Sequence, residues 1–523
     1  MPRRADLLAI LLSLAAVLAA ALVTERVFEG IPHIEDEVAY VWQARMLAEG
    51  ELKMPSPSQP KSFIIPFVVD HEGERFGKYP PGWPAVLSLG VRLGLRAWVN
   101  PMLAGLGAWL TYRLGKRLFG DLVGLLAEGL TLTSPFFLMN SGSLLSHPLG
   151  LVLAAVFALG WLDSFGPGSS QACPPKAGIR PCRLAWAAAG MALGLLVLTR
   201  PLSAAAVALP FGLHGVYLLV RGDWAVRRRV IGLGLIALAC AGLYLGWQAA
   251  LTGDPLLNPY TLWWPYDKIG FGPGHGVTES GHTLQLAYEN TRFSLQVGMI
   301  DLFGWWGYSW ILLPFGLWAA RRNRAAWLVG GIFISLVVLY MAYWIGSWLF
   351  GPRYYYEGLA SLTIFSAAGM AWLAGWLPEQ RSKAGQASAA SQRRKTTPPW
   401  LHKLRPLAVT LVFGVLVGIN LVLYTPIRVG SLQGLYGIER ADQAAFVTPE
   451  AQALTPAVII VHADKWMDYG ALLDLQDPHL STPFIFAWSK VIDIEKLAAT
   501  YPERAIYHYY PDQPYKFYPA ETP

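Results

Sequence analysis

Long apolar segments recur along most of this chain, and they constrain its fold more than any other feature. A helix of about 17 to 25 apolar residues spans the ~30 Å hydrocarbon core of a bilayer at 1.5 Å per residue. A shorter apolar stretch, 82–95, contains Arg92 and predicts a helix lying at the membrane interface. The sequence therefore predicts a polytopic α-helical membrane protein with about eleven spans, at 7–23, 98–117, 121–138, 147–163, 184–199, 202–220, 230–250, 303–320, 325–349, 354–376 and 405–424.

The composition agrees with a membrane protein. Hydrophobic residues make up 54% of the 523 positions, and charged residues make up 14%, against about 25% in soluble domains. The net charge of +7 does not indicate a nucleic-acid partner, because in a membrane protein the positions of the basic residues matter more than their sum. Three cysteines, Cys173, Cys182 and Cys240, are too few for a disulfide framework.

Lysine and arginine fall on alternate connections between the predicted spans. The positive-inside rule then places the N-terminus in the cytoplasm, together with a polar linker at 379–404. A cleaved signal peptide ending near Ala19-Ala20-Ala21 is the alternative for the first segment, but its apolar run is longer than a typical signal sequence. A retained first helix puts three segments outside the cytoplasm: the loops 24–97 and 252–302 and the tail 426–523.

The tail differs in character from the apolar segments before it. Short strand-like runs occur at 457–462, 483–488 and 504–509, and 493–500 has a helical pattern. We predict two domains, a transmembrane domain over 1–425 and a small extracytoplasmic α/β domain over 426–523.

Three consecutive carboxylates, Glu35, Asp36 and Glu37, follow the first apolar segment. Charge is expensive in a bilayer, by about 2.5 to 3.5 kcal/mol per residue at its centre. If a helix begins at residue 36, the carboxylates lie in its first turn, where the helix dipole favours negative charge. A chemical role competes with this capping role, since one carboxylate near a membrane surface can accept a proton from a hydroxyl.

Several short motifs on the predicted outer side resemble the GT-C superfamily of membrane glycosyltransferases, and within it the protein O-mannosyltransferases and ArnT-like lipid A aminoarabinose transferases. The resemblance covers residues 1 to 376. The motifs that carry it are Asp36-Glu37-x-x-Tyr40-x-x-x-Ala44, Lys78-Tyr79-Pro80-Pro81-Gly82-x-Pro84, Ser146-His147-Pro148, Thr199-Arg200-Pro201-Leu202 and Gly351-Pro352-Arg353-Tyr354-Tyr355.

The resemblance implies a sugar donor linked to polyprenyl phosphate and an acceptor hydroxyl or phosphate on a lipid, glycan or protein. It implies that Asp36 is the general base of an inverting reaction and that Glu37 assists it. A lipid phosphate leaving group needs cationic partners, although an arginine at a helix end also snorkels to the interface without any ligand. The candidate substrate- and phosphate-binding residues are Lys78, Tyr79, Arg200, Arg353, Tyr354 and Tyr40.

A divalent cation is a candidate cofactor, because some members of the superfamily use a metal. His33 and His147 would be its ligands, since imidazole commonly binds metals. The simpler alternative for His147 is a place in the first turn of a helix that Ser146 caps and Pro148 helps to start.

Glu128 lies inside the predicted span 121–138 and favours a different class of protein, a multi-pass transporter or lipid flippase. A non-enzymatic envelope protein is a third class. Both are weaker predictions, because most of the ionisable residues lie on one predicted surface and not at mid-membrane. The tryptophan pairs Trp263-Trp264 and Trp305-Trp306, with Trp310, predict an interfacial aromatic belt, with sugar or prenyl contact as the alternative.

Overall fold

The computed structural model describes residues 4–166, 184–377 and 399–520, with side chains omitted at 399–403. Cys173, Cys182 and most of the predicted linker at 379–404 lie outside the described residues.

Helices dominate the described chain. The α-helices are α1 Arg4–Arg26, α2 Glu35–Glu49, α3 Gly82–Arg92, α4 Val99–Phe119, α5 Asp121–Leu132, α6 Pro135–Gly142, α7 His147–Phe165, α8 Ala185–Thr199, α9 Pro201–Arg221, α10 Trp224–Thr252, α11 Pro259–Trp263, α12 Leu284–Asp301, α13 Leu313–Ala320, α14 Arg324–Tyr340, α15 Leu359–Ala374, α16 Pro399–Ile419, α17 Thr425–Gly430, α18 Pro449–Gln452 and α19 Ile494–Thr500. Shorter 3₁₀ helices include Arg353–Gly358, Arg440–Phe446 and Trp466–Asp474, and a π-helical turn covers Asn420–Tyr424.

Six helical segments in the described part of the chain are long and apolar enough to cross a membrane, and a seventh span results if the bent pair α5 and α6 is counted as one. Two shorter apolar helices, α8 and α14, lie among them. The protein is therefore a multi-pass membrane protein, while the predicted number of eleven spans stays a prediction. The six segments are Arg4–Arg26, His147–Phe165, Pro201–Arg221, Trp224–Thr252, Arg353–Ala374 and Leu404–Phe446.

The chain departs from three of the predicted spans. The segment 121–138 is broken, because α5 and α6 meet at an angle of 61°. The segment 303–320 is helical only from Leu313. Before it, Gly304 and Gly307 adopt positive φ angles of 67° and 87°, which a right-handed helix does not contain. Helix α14 ends at Tyr340, nine residues before the predicted end of its span at 349.

The loop 24–97, called the first loop from here on, is mostly structured. It contains α2 and α3, as predicted, and a three-stranded antiparallel sheet that the sequence analysis missed. The sheet has the order β1-β3-β2, and its strands are β1 Met54–Pro55, β2 Val68–His71 and β3 Glu74–Gly77.

A second sheet near the C-terminus confirms the predicted small sheet domain. Its strand order is β5-β4-β6-β7, in which β4 pairs in parallel with both β5 and β6, and β7 pairs antiparallel with β6. Its strands are β4 Ala457–Val461, β5 Phe484–Trp488, β6 Ala505–Tyr509 and β7 Tyr518–Pro519. All five residues of β4 are buried, as expected of a central parallel strand covered on both faces.

The first loop supplies part of the cover on both faces of this sheet. On one face, Val38, Trp42 and Met46 of α2 belong to the same apolar cluster as Ile459 and Phe486. On the other face, Phe63 packs with Val458, Ile460 and Leu497. The opposite side of α2, including Ala39, Tyr40 and Ala44, packs into the apolar cluster of the transmembrane helices. Helix α2 is therefore held between the helical bundle and the C-terminal sheet.

An ion-pair network reinforces this contact. The carboxylate of Asp474 accepts hydrogen bonds from Arg45 at 2.9 Å and from Arg96 at 2.6 and 2.9 Å. Both arginines belong to the first loop, and their side chains are 22% and 17% exposed against 11% for Asp474. Hydrogen bonds between charged groups at this degree of burial are stronger than those on an open surface. The network therefore joins the first loop to the C-terminal domain.

We expect Asp474→Ala to loosen the C-terminal domain from the first loop, because Arg45 and Arg96 lose a shared partner. Breaking a fully buried ion pair costs about 3–5 kcal/mol, and the partial exposure here reduces our expectation to about 2 kcal/mol. Hydrogen exchange at the β4 amides measures the change. The control is Asp464→Ala, since Asp464 is 92% exposed in its pair with Lys490, and equal effects of the two variants would contradict the proposed network.

Candidate active site

Helix α2 presents Asp36 at its first turn, next to the segment that contains Tyr79. The amide of Gln43 donates to the carbonyl oxygen of Tyr79 at 2.7 Å, and the rings of Tyr40 and Tyr79 lie 4.4 Å apart. Gly77 has no room for a side chain, because a Cβ there would approach the Gln43 side chain to 2.5 Å. The helix and this segment are therefore fitted closely to one another.

The Asp36 carboxylate has two partners from distant parts of the chain. Tyr79 donates its phenolic hydrogen to one oxygen, and Arg353 donates to the other at 3.2 Å. The Asp36 side chain is 21% exposed and that of Arg353 is 16% exposed. Burial raises the pKa of Asp36, but the charge of Arg353 and the hydrogen bond from Tyr79 outweigh it and hold the pKa below its usual value. Asp36 is therefore ionised at neutral pH.

Arg353 also has a donor left over. Its Nη1 atom is buried and has no hydrogen-bond partner among the described residues. A sharp turn before it sets its position, since Gly351 has a φ of +72° and a Cβ there would lie 2.6 Å from the Phe136 ring. A buried guanidinium with one satisfied and one unsatisfied nitrogen is a preformed partner for an anion.

Arg200 lies at the start of α9 and pairs with a carboxylate that the sequence analysis missed. Its Nε atom is 2.7 Å from Oε1 of Glu357, whose side chain is fully buried. The guanidinium also donates to the Tyr340 hydroxyl at 3.2 Å and to the Ser146 hydroxyl at 3.3 Å. Ser146 in turn lies 3.3 Å from the Tyr40 hydroxyl. Arg200 and Tyr40 are thus joined to one polar network.

Lys78 occupies an aromatic cage. Its ammonium lies 3.5 Å from the centroid of Phe67 and 4.9 Å from those of Tyr260 and Trp264. Its carboxylate partner is Asp267 at 3.4 Å, and Asp267 also accepts from Tyr343 and Trp344. Burial is the main cause that lowers the pKa of Lys78, and Asp267 partly opposes it.

The structure brings most of the predicted substrate residues together. Asp36, Tyr79 and Arg353 are in contact, Tyr354 stacks on Tyr340 with ring centroids 5.0 Å apart, and Tyr340 contacts Arg200. Lys78 lies 5.3 Å from the ring of Tyr79. The cluster contains three cations, Arg353, Arg200 and Lys78, each paired with one carboxylate.

Solved structures with the same architecture are known. ArnT from Cupriavidus metallidurans bound to undecaprenyl phosphate gives a TM-score of 0.57 at 17% identity, over 95% of this chain and 89% of that one. Its apo form gives 0.55 at 16% identity, over 95% and 88%. The apo Archaeoglobus fulgidus oligosaccharyltransferase gives 0.50 at 12% identity, over 90% of this chain and 64% of its own.

The chain shares the overall fold of these solved structures. At these identities the likeness concerns the fold alone. No protein-family model matches the sequence, and no curated protein matches it.

The Glu37 carboxylate is buried among backbone amide groups. Both of its oxygens accept hydrogen bonds from backbone amides, those of His33 at 2.9 Å and Leu144 at 2.7 Å. Its exposed fraction is 1%. Burial raises its pKa, and the two amides partly oppose the rise. This geometry suits a residue that ties the first loop to the turn between α6 and α7.

His33 and His147 do not gain a third protein ligand. The Nδ1 atom of His33 contacts the Ile31 carbonyl at 3.0 Å, and both ring nitrogens of His147 are buried with no hydrogen-bond partner in the described part of the chain. No group of three or more His, Cys, Asp or Glu that could hold a metal occurs within 4–166, 184–377 and 399–520. The described residues therefore do not form a protein-built metal site around these two histidines, and the predicted divalent cation stays a prediction.

Sequence reasoning overlooked Glu357 and Tyr340 as members of the site. Glu357 lay inside the predicted span 354–376, where a carboxylate is expensive and usually functional, so the same argument that singled out Glu128 applied to it. Glu128 itself lies between helices, where Ser13 donates to it at 2.8 Å and its second oxygen has no hydrogen-bond partner in the described chain. Asp267 gave no sequence signal that separated it from other loop carboxylates.

We expect Arg353→Gln to destabilise the protein by about 2 kcal/mol at pH 7, because it leaves a largely buried carboxylate without its cation. In the wild type, the lowered pKa of Asp36 gives stability above the unfolded-state pKa, and this stability is lost as pH falls. In the variant, burial raises the pKa with only Tyr79 and Lys78 left to oppose it, so acid relieves the destabilisation. The difference in thermal midpoint between the two proteins should shrink from pH 7 to pH 4.

The matched control for this prediction is Asp36→Asn combined with Arg353→Gln, which removes the titrating group. Its midpoint should follow pH in parallel with that of Asp36→Asn alone. A pH-independent gap between Arg353→Gln and the wild type would contradict the proposed coupling.

Proposed function

We propose that this protein is an integral membrane glycosyltransferase that transfers a sugar from a polyprenyl-phosphate-linked donor to an acceptor hydroxyl or phosphate. The acceptor belongs to a lipid, glycan or protein, and the reaction inverts the anomeric centre. The N-terminus is cytoplasmic, and the reaction takes place on the outer face of the cytoplasmic membrane. The GT-C fold supports this class of reaction, and the solved ArnT structure has undecaprenyl phosphate bound.

The observation that carries the proposal is the environment of Asp36. An ionised carboxylate with a lowered pKa is fixed by Tyr79 and Arg353 at the end of the helical bundle. It can take the proton of an acceptor hydroxyl while the oxygen of that hydroxyl attacks the anomeric carbon. The bond between that carbon and the phosphate oxygen breaks, and its electron pair leaves with the phosphate.

The leaving phosphate needs a cation that is already in place. Arg353 is the first candidate, because its Nη1 atom has no partner in the described part of the chain and lies beside the proposed base. Arg200 and Lys78 hold carboxylates, Glu357 and Asp267, and they lower the energy of a nearby anion through their charge. The same arginine therefore serves both the base and the leaving group.

We assign the remaining residues to positioning roles. Glu37 holds the backbone of the first loop against the α6–α7 turn. Tyr40 and Tyr354 extend the polar and aromatic walls around Arg200 and Arg353. A divalent cation bound by His33 and His147 would need the donor phosphate as a further ligand. The described residues supply no third protein ligand to it.

A transporter or flippase fits these observations less well. Such a protein concentrates ionisable groups on broken helices at mid-membrane. Here the ion pairs of Asp36, Arg200 and Lys78 share one end of the bundle, and Glu128 stands apart with Ser13. Comparison of envelope glycans and glycolipids by mass spectrometry, with and without the gene, separates the classes, because a transporter would alter solute uptake and leave the glycans unchanged.

We expect Asp36→Asn to reduce sugar transfer at least 100-fold, in the range of about 10²–10⁴ for loss of a general base. Expression and folding should be retained, because the amide still accepts from Tyr79. The measurement uses membranes and a radiolabelled polyprenyl-phosphate sugar. Glu35→Gln is the comparison variant, since Glu35 is in the same turn and its charge also acts on Asp36, Arg353 and Lys78, and we expect it to lose much less activity because it does not accept the proton. Full activity of Asp36→Asn would exclude Asp36 as the base.

We expect Glu37→Gln to affect stability more than chemistry. The amide group keeps one acceptor oxygen but turns its NH₂ toward a backbone donor, which costs about 1–3 kcal/mol for a buried unsatisfied pair. Thermal unfolding measures the loss, and single-turnover transfer at a temperature where the variant is folded measures the chemistry. A loss of chemistry as large as that of Asp36→Asn, with unchanged stability, would restore Glu37 as a catalytic assistant.

A further inference from the structure

An open groove of about 760 Å³ lies between the first loop, the Trp263–Trp264 segment and the C-terminal domain. Its volume is within the range of about 300–1,000 Å³ that small-molecule sites occupy. The first loop contributes one side through Lys61 and Asp70, and the C-terminal domain contributes the other through Val491 and Lys496. None of these four residues belongs to the cluster around Asp36.

Hydrogen bonds fix the two sides of the groove relative to one another. Gln59 exchanges two hydrogen bonds with the backbone of Asp493, at 2.9 and 2.8 Å. The Ser62 hydroxyl donates to the Val491 carbonyl at 3.0 Å, and the Ser62 backbone carbonyl accepts from the backbone amide of Trp488 at 2.6 Å. The groove is therefore preformed, which reduces the entropy lost when a ligand binds.

The charges at the groove favour an anion. The ammonium groups of Lys61 and Lys496 are exposed, and neither has an ion-pair or hydrogen-bond partner within the described residues. Asp70 is the carboxylate that lines the groove among the described residues. Arg75 neutralises it by donating to both of its oxygens at 2.8 Å. Among the described lining residues, two lysines therefore face the groove, and the lining carboxylate is already paired with Arg75.

The groove also has aromatic walls and leads toward the proposed base. Trp263 and Trp264 line it and are only partly buried. The Phe67 ring lies 5.7 and 5.1 Å from their rings and 6.0 Å from that of Tyr79. The Tyr79 hydroxyl donates a hydrogen bond to Asp36. One aromatic side chain therefore separates the groove from the residues around the base.

We propose that this groove binds an acidic oligosaccharide portion of the acceptor, one that carries carboxylate or phosphate groups. The inference rests on the proposed glycosyltransferase function and names its acceptor class. Partly exposed tryptophan rings offer flat apolar faces to the carbon-bound hydrogens of sugar rings, while the exposed Ser58 supplies a polar contact. Lys61 and Lys496 pair with the acidic substituents, and this end of the acceptor stays bound while its hydroxyl reaches Asp36.

The test measures binding to the full-length protein in lipid nanodiscs, without donor. The probes are a tetrasaccharide of galacturonic acid, the matched neutral tetrasaccharide of galactose, and tetraglutamate as an acidic peptide. We expect the acidic sugar to bind at least about tenfold more tightly than the other two, with an affinity that falls as salt rises. Titration by saturation-transfer NMR gives the three dissociation constants.

Variants locate the binding. K61Q combined with K496Q should weaken the acidic sugar about tenfold and leave the neutral sugar unchanged. Trp263→Ala should weaken both sugars. Lys53→Gln is the control, because Lys53 is exposed on the same loop and does not line the groove. Equal binding of acidic and neutral sugars, no binding of either, tight binding of tetraglutamate, or an unaffected double variant would each overturn the proposal.

Failure of the groove proposal is distinguishable from failure of the proposed function. Asp36→Asn should bind the acidic tetrasaccharide as the wild type does, because Asp36 does not line the groove. If that variant binds the sugar and still transfers from the donor, the assignment of the base is wrong and the groove remains. If it loses transfer and the wild type binds no acidic sugar, only the groove proposal is wrong.

Discussion

A largely buried carboxylate that must stay ionised is the constraint on which the proposed site depends. Removing a charge from water is expensive unless another charge and good hydrogen bonds compensate. For Asp36 this compensation comes from Tyr79, 43 residues further along the chain, and from Arg353, 317 residues further along. The close fit of the α2 turn, the Lys78–Tyr79 segment and the turn at Gly351 follows from the need to bring these three side chains together.

The overall class and many element bounds could be predicted from the sequence, because they follow from local patterns. The helix expected to begin at residue 36 is α2 at Glu35–Glu49, and the three strand-like runs of the tail are β4, β5 and β6. The failures have a common cause. Hydropathy alone does not show where a helix ends inside an apolar segment, so α14 stops at Tyr340 for reasons of tertiary contact: Tyr343 and Trp344 turn back to Asp267.

The candidate site was predictable in part for a similar reason. Charged residues next to apolar spans stand out, so Asp36, Arg200 and Arg353 were found without a structure. The pairing of Arg353 with Asp36 and the Glu357 partner of Arg200 were not predicted, because pairing depends on which helices are neighbours. Glu37 shows the limit most clearly. The sequence predicted it as an assistant to Asp36, whereas its two backbone contacts, with His33 and Leu144, belong to a fold that the sequence alone did not specify.

The shared core between α2 and the C-terminal sheet has a consequence for biosynthesis. Trp42 needs Phe486 and its neighbours to complete the cluster in which it lies, and at about 5–20 residues per second the ribosome takes roughly 20 to 90 s to add the intervening residues. Throughout that interval the loop that carries Asp36 waits with an apolar face uncovered. Completion of the chain thus becomes a checkpoint for assembly of the site, and a nascent or truncated chain would carry its transmembrane helices into the bilayer before any competent catalytic arrangement exists.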